Sequence, residues 1–415
     1  MYVFAFLTIV RLVVRLTLFF AHKFWNISMV SPIIGIDFGT TNSTCSVFDG
    51  NTAHLIPLED DKMTLPSSMF FADDGTIYFG RESVSAYLDG EEGRFMRGLK
   101  SVLGTSLMQE KTRINRKMMS FEEILAVYLR HIHSKAQTSL GVDIDKVVLG
   151  RPVHFHDNNP DADGVSENTL RKIALELGFK DISFQYEPIA AAFAHERSLN
   201  SEQLALVVDL GGGTSDFTVI RLSPDKISQQ DREHDILATS GVRIGGTNFD
   251  HALSIQSFMP HFGLGGVYGA EMDQSKILPI PPAIYHQLSD WPQVNFAQTP
   301  KAIQETRSLL RTAGEPDKIN RLLMVQENGL GHALLRAVEN TKIELTDNLF
   351  VDTDLSELDI DIHVPVGRKE FETAISGQIQ KIERSIEECI SSAQISSADI
   401  NLIILTGGSS ELPII

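Results

Sequence analysis

Two stretches of the 415-residue sequence run an apolar segment into an aspartate and then turn on glycine. The first is Gly35-Ile36-Asp37-Phe38-Gly39-Thr40-Thr41-Asn42-Ser43; the second is Val207-Val208-Asp209-Leu210-Gly211-Gly212-Gly213-Thr214-Ser215-Asp216. Gly39 is expected to supply the positive φ of a tight hairpin turn. Successive N–H groups and the Thr40 and Thr41 hydroxyls would then line one concavity, a natural place for phosphate oxygens. Asp37, held at a strand end, suits the water shell of a Mg2+ ion. Three consecutive glycines cost backbone entropy and pack nothing, which makes sense where main chain must come close to a ligand. With Asp209 and Thr214 they describe a second phosphate-facing hairpin. A plain hairpin and a flexible linker are the alternative readings, the latter disfavoured by the apolar flanks.

A third glycine turn, Leu405-Thr406-Gly407-Gly408-Ser409-Ser410, would present backbone to a flat ring or a ribose. In Tyr186-Glu187-Pro188-Ile189-Ala190-Ala191-Ala192 the proline and the alanine run describe a helix that starts at Glu187 and packs closely on something. Glu187 either orients water near a phosphate or simply partners the helix dipole. His131 and His133 are too close in sequence for i,i+4 metal ligation and read as solvated or core-rim residues.

Positioning these groups requires strands that end together. Beyond Ser31 short β-branched runs alternate with helical patterns, which points to an α/β fold. Strands are expected at Ile33–Asp37, Ser43–Phe48, Lys146–Gly150, Ile182–Tyr186, Leu204–Asp209, Phe217–Leu222 and Leu402–Thr406. Helices are expected at Phe121–Ser139, Glu167–Leu177 and Arg368–Ile390, the last with a core stripe of Phe371, Ile375, Ile379, Ile382, Ile386 and Ile390. The order strand–Asp–x–Gly–turn–strand occurs at Ile34–Phe48 and again at Val207–Leu222, as two similar halves facing a cleft would produce. Two insertions interrupt the frame, at about 66–117 and about 246–355. Within the second, Gly263–Pro300 reads as a loop, too polar and broken for a core element.

Composition sets the bounds. The length suggests roughly two to three domains, and 42% apolar with 22% charged residues excludes wholesale disorder and a polytopic membrane protein. Thirty-six basic against 54 acidic residues, a net charge of −18, argues against nucleic acid as a partner. Two cysteines, Cys45 and Cys389, make no disulfide framework and point to a reducing, cytoplasmic compartment. Residues 1–30 differ: they are apolar, carry Arg11, Arg15 and Lys23 and no acid, and are expected to lie outside the fold. Arginines near the middle of that run disfavour a membrane span, so membrane contact would come only from an interfacial helix retained there.

Taken together, Ile36–Ser43, Val207–Ile220 and Ile403–Pro413 resemble the three signatures of the actin-like ATPases. Within that superfamily they are most similar to the 70-kDa heat-shock chaperones, nearest to short YegD-like bacterial members. Glu187–Ala192, Gly245-Gly246-Thr247-Asn248-Phe249-Asp250 and Glu339-Asn340-Thr341-Lys342-Ile343-Glu344-Leu345-Thr346 resemble further segments of that family, and the last two favour the chaperone branch over a bacterial actin-like filament. The resemblance implies two duplicated ribonuclease H-like lobes, 31–198 and 199–415, each with an inserted subdomain around a nucleotide cleft. It implies ATP or ADP with Mg2+, slow hydrolysis driving lobe closure, and client proteins or co-chaperones as partners. Asp37 and Asp209 would hold the metal's water, while Gly39, Thr40, Thr41, Asn42 and Gly211, Gly212, Gly213, Thr214 would cradle phosphates. Glu187 and Thr40 would position the attacking water, and Gly245, Gly246, Glu339, Lys342, Gly407, Gly408 and Ser409 would surround adenosine.

The sequence departs from that pattern in places. Val84 stands where the family has a lysine near the terminal phosphate, and the nearby cations Arg81 and Lys100 do not fit by spacing. Ile343 replaces an arginine that stacks on adenine. The second lobe is expected to be incomplete at its C-terminus, and no peptide-binding domain is expected in these residues. A weak ATPase is therefore the leading expectation. A non-hydrolysing nucleotide sensor, a filament protein, and a small-molecule kinase with Asp216 as base are the alternatives.

Overall fold

The computed structural model describes residues 32–48, 53–115, 117–156, 159–227, 229, 231–269 and 277–415. The basic leader lies outside the described residues. β1 (Ile33–Phe38) and β2 (Asn42–Phe48) form the first hairpin, with Asp37 opposite Thr44. All six residues of β1 are buried, which explains its unbroken apolar run. β3 (Ala53–Ile56) and β4 (Thr64–Pro66) both pair with β2. On the other side β5 (Lys146–Arg151) runs parallel to β1, and β6 (Asp181–Tyr186) parallel to β5.

The second sheet repeats this plan. β7 (Gln203–Leu210) and β8 (Ser215–Leu222) are antiparallel with Asp209 opposite Asp216, and β9 (Ile236–Val242) extends the β8 edge. β10 (Leu402–Thr406) runs parallel to β7, with Thr406 beside Asp209. In both sheets the first hairpin strand therefore carries an aspartate next to its last residue and has a parallel neighbour on its outer side. The seven expected strands are all present, each within two residues of its predicted ends.

Helix α1 (Gly80–Leu88) lies in the first insertion against a three-stranded sheet of Ser68–Ala72, Ile77–Phe79 and Gly93–Arg97. Helix α2 (Phe121–Leu140) starts at a capping box, where Ser120 and Glu123 satisfy each other's backbone N–H, and stops at Gly141 with φ 67°. Helix α3 (Pro160–Glu176) begins seven residues before the expected start, because Asn159 caps Ala162 N–H and Pro160 presets the first turn despite Gly164 inside. Helix α4 (Glu187–Glu196) follows β6 without a loop. Its Ala190–Ala192 run shares one core with Ile33 and Val148 of the first sheet and Ala205, Val207 and Ile220 of the second. Alanine's small side chain is what admits a helix there.

The chain divides into two compact units. One holds the described residues up to Gly245 with Lys381–Ser410, and so both sheets; the other holds Gly246–Gln380 with Glu411–Ile415. The second contains α5 (Gly246–Leu253), α6 (Gly331–Asp347), the first part of α7 (Arg368–Ser392) and a hairpin of Phe350–Asp354 with His363–Gly367. Here the loop reading of 263–300 is overturned. Val267–Tyr268 pairs with Leu278–Pro279, Ala283–Leu288 is helical, and Tyr285, Leu288, Trp291, Val294 and Ala297 are all buried. Elements this short show no periodicity, so their core residues look scattered. In α7 the stripe holds through Phe371, Ile375, Ile379 and Ile382, then passes to Ser385 and Cys389 while Ile386 and Ile390 are half-buried. Repeated steps of four outrun a 3.6-residue turn. Among the described residues no helix is long and apolar enough to cross a membrane.

Candidate functional site

The two hairpin turns are built alike. Gly39 N–H donates to Asn42 O at 3.1 Å and Gly211 N–H to Thr214 O at 2.9 Å. Each glycine carbonyl in turn accepts a serine hydroxyl from elsewhere: Ser67 Oγ on Gly39 O at 2.7 Å, Ser409 Oγ on Gly211 O at 3.0 Å. Gly39 does not adopt the positive φ expected of it. Glycine is required there because a Cβ would fall 2.3 Å from Asn42 O. The triple glycine likewise approaches protein: a Cβ on Gly212 would lie 2.4 Å from Thr41 Oγ1, and one on Gly213 2.7 Å from Thr40 Oγ1. The tips of the two turns therefore face each other directly. Gly245 closes the back, since a Cβ there would meet Gly212 C and Gly213 N at 2.6 Å.

Beneath the tips lies a buried carboxylate cluster. Asp37, Asp209, Asp216 and Glu187 are each less than a tenth exposed. Burial and the charge of Glu187 push Asp37 up to about 7, against an attraction from Lys100 that works downward. Asp216 is likewise pushed up to about 7 by burial and Glu187, although its Oδ1 accepts Val153 N–H at 2.6 Å. Asp209 is raised well above the usual range by burial, then by Glu187, Asp216 and Asp37. That hydrogen bond ties Asp216, the base a kinase reading would need, to the chain after β5.

A residue that sequence spacing had set aside completes the cluster. Lys100 Nζ lies 2.7 Å from Glu187 Oε1, with both side chains buried. Burial works against its ammonium, but Glu187, Asp37 and Asp216 outweigh it and the group is held protonated more firmly than a free lysine. Lys100 stands on a single helical turn, Leu99–Val102, which starts after Gly98 (φ 75°) and is anchored by buried Leu99, Val102 and Leu103. Arg243 donates to Ser101 O, and His156 Nε2 sits 2.7 Å from Leu103 O. The other nearby cation, Arg81, is spent on Glu59 Oε2 at 2.6 Å and Thr64 O at 2.7 Å. Val84 is half-buried on α1. The available sequence signal was one lysine inside a short apolar run bounded by Gly98 and Gly104; Ser67, Arg243 and His156 left none.

The third turn meets the second. Gly407 (φ 81°) would place a Cβ 2.2 Å from Leu210 O and 2.9 Å from Asp209 Oδ1, while Gly408 faces open space. In the second unit Lys342 Nζ pairs with buried Asp250 at 2.6 Å and reaches Gly246 O at 3.3 Å; Glu339 lies on the same helix, α6, and Ile343 is exposed. His133 bonds Ile144 O at 3.0 Å and is buried, and His131 stacks on Phe79 with ring centroids 3.9 Å apart. Among the described residues, neither histidine belongs to a cluster of three potential metal ligands.

Among known families, the model of the Hsp70 protein matches residues 33–265 and 318–415. Curated proteins named chaperone protein DnaK are similar over nearly the whole chain. That of Endomicrobium trichonymphae is 25% identical over 398 residues, covering 93% of this chain and 52% of the relative. Those of Metamycoplasma hominis and Thermosipho melanesiensis are 24% and 25% identical, each covering 92% of this chain and 53% and 54% of the relative. The chain thus spans about half the length of the curated relatives it matches.

Proposed function

The chain belongs to the Hsp70 family, and from that premise we propose that it is an ATP-binding ATPase module which grips Mg·ATP with its two glycine turns and hydrolyses it slowly. The observation that carries this reading is the pair of facing turns with Asp37 and Asp209 in one buried cluster. Thr40, Thr41 and Gly211–Thr214 supply N–H and hydroxyl donors to phosphate oxygens, the kind of fixed electrostatic environment that phosphoryl transfer needs. Glu187 and Thr40 orient the attacking water. Gly408, with open space in front of it, offers backbone to the nucleoside.

The donor set fits a hard divalent cation. Four buried carboxylates against one ammonium leave a surplus of negative charge in a low-dielectric place, and burial, then the neighbouring charge, raises the protonation of Asp37, Asp209 and Asp216. Among the described residues no three His, Cys, Asp or Glu side chains converge tightly enough to hold an ion directly, which suits Mg2+ retained through its own water by Asp37 and Asp209. When bound, Mg2+ would neutralise charge developing on the leaving diphosphate.

Calorimetric titration with Mg·ATP tests the proposal. Wild-type protein binds; Asp209→Ala loses binding by ~100-fold or more, as expected when a carboxylate that anchors a metal's hydration shell is removed. Unchanged binding in that variant removes the metal role. Phosphate release separates turnover from the rival reading of a nucleotide sensor, which Val84 favours. Client proteins or co-chaperones as partners of this chain are part of the same proposal, supported by its similarity to proteins named chaperones.

A further inference from the structure

Lys100 and Glu187 neutralise each other at 2.7 Å in a place where both are desolvated. Of the groups around Asp37, Asp209 and Asp216, Lys100 is the cation whose charge acts on all three. A nucleotide tail entering between the turns adds further negative charge, and the terminal phosphoryl makes ATP more negative than ADP by one charge and brings a doubly charged end group to the site. An ammonium already surrounded by carboxylates is drawn to the stronger anion, and its four-carbon stem lets it move without the turn at Leu99–Val102 moving.

We propose that the Lys100–Glu187 ion pair is a latch that the terminal phosphate of ATP opens: Lys100 passes to the phosphate, and Glu187 is released to act on water. Resting on the ATPase reading above, the inference adds the residue that tells ATP from ADP. In the opened state Glu187 Oε accepts a proton from the water whose oxygen forms the new bond to Pγ. The bond from Pγ to the bridging oxygen breaks with its electron pair left on ADP, and the proton passes from Glu187 to the phosphate or to solvent. Lys100 keeps its own proton throughout and offsets charge on the transferring group. When phosphate leaves, the pair closes again over ADP. Val84, at the family's usual lysine position, is then no loss, because the positive charge arrives from a different element.

The test compares Mg·ATP and Mg·ADP affinities by calorimetry, and single-turnover hydrolysis, in wild type, Lys100→Met, Lys100→Arg and the doubly neutral Lys100→Met/Glu187→Gln. The double variant leaves neither member of the pair without its partner, so a folding defect caused by an orphaned Glu187 in the single variant does not obstruct the comparison. Lys100→Met and the double variant are expected to weaken ATP by about tenfold and ADP by less than about twofold, with hydrolysis down ~100-fold. Lys100→Arg keeps the ATP preference in part. A residue that only fills space would shift both nucleotides alike. An ATP-to-ADP affinity ratio unchanged in the double variant overturns the latch while leaving the ATPase reading intact. Wild-type protein that binds neither nucleotide overturns both.

Discussion

At Gly245 a Cβ would fall 2.6 Å from backbone atoms of Gly212 and Gly213, whereas at Gly408 it would meet nothing within 4 Å. These two glycines should respond very differently to one added methyl group. Gly245→Ala is expected to cost about 1–3 kcal/mol in urea unfolding, since rigid backbone must shift to admit it. Gly408→Ala should stay within about 0.5–1 kcal/mol of wild type, where only backbone freedom changes. Asp37 and Asp209 were legible because each lies at the end of an apolar strand just before a glycine turn. Lys100 was not legible, because its place depends on a turn after Gly98 and on contacts from Arg243 and His156 far along the chain. Gly39 shows the same limit: its identity was read correctly but for the wrong reason, since collision and not a left-handed backbone demands it.

Among the elements, α2 has the clearest local instructions, and its start can be tested without touching the site. Ser120→Ala removes the acceptor for Glu123 N–H at 3.2 Å and half of the capping box. The expected cost is about 1 kcal/mol, measured as a lowered denaturation midpoint with unchanged slope. Elements with a long period or a buried apolar run were legible, as all seven expected strands attest. Where the signal was weak the reading failed in two ways. Gly164 hid the first two turns of α3, and prolines and glycines between 263 and 300 disguised a packed region whose Tyr285, Trp291 and Val294 are buried.

For the molecule as a whole, acid sensitivity has an identifiable contributor away from the site. Burial, with Lys135 nearby, lowers His131 to about 4, below its ordinary 6.5. The folded chain then binds fewer protons there than the unfolded chain between pH 6.5 and 4, so the stability it confers is present above 6.5 and lost as pH falls toward 4. His131→Gln should therefore flatten the fall in thermal midpoint between pH 7 and pH 5, although it also gives up the stack on Phe79 and lowers stability at pH 7. An equally steep fall in the variant would assign the acid sensitivity to other groups. The duplication of the two sheets was legible from the repeated strand–aspartate–turn order. The division at Gly245 and Lys381 was not, because it is set by contacts between residues distant in sequence.

The two serine clasps close at very different moments in the life of the chain. Ser67 reaches back only 28 residues to Gly39, so the first turn is finished while most of the protein is still to be synthesised. Ser409 must reach back 198 residues to Gly211, and β10 beside β7 is made just before it. A nascent chain between Ser67 and Ser409 can therefore hold the first clasp but not the second, and the matched pair of turns is complete only once β10 and Ser409 have been made.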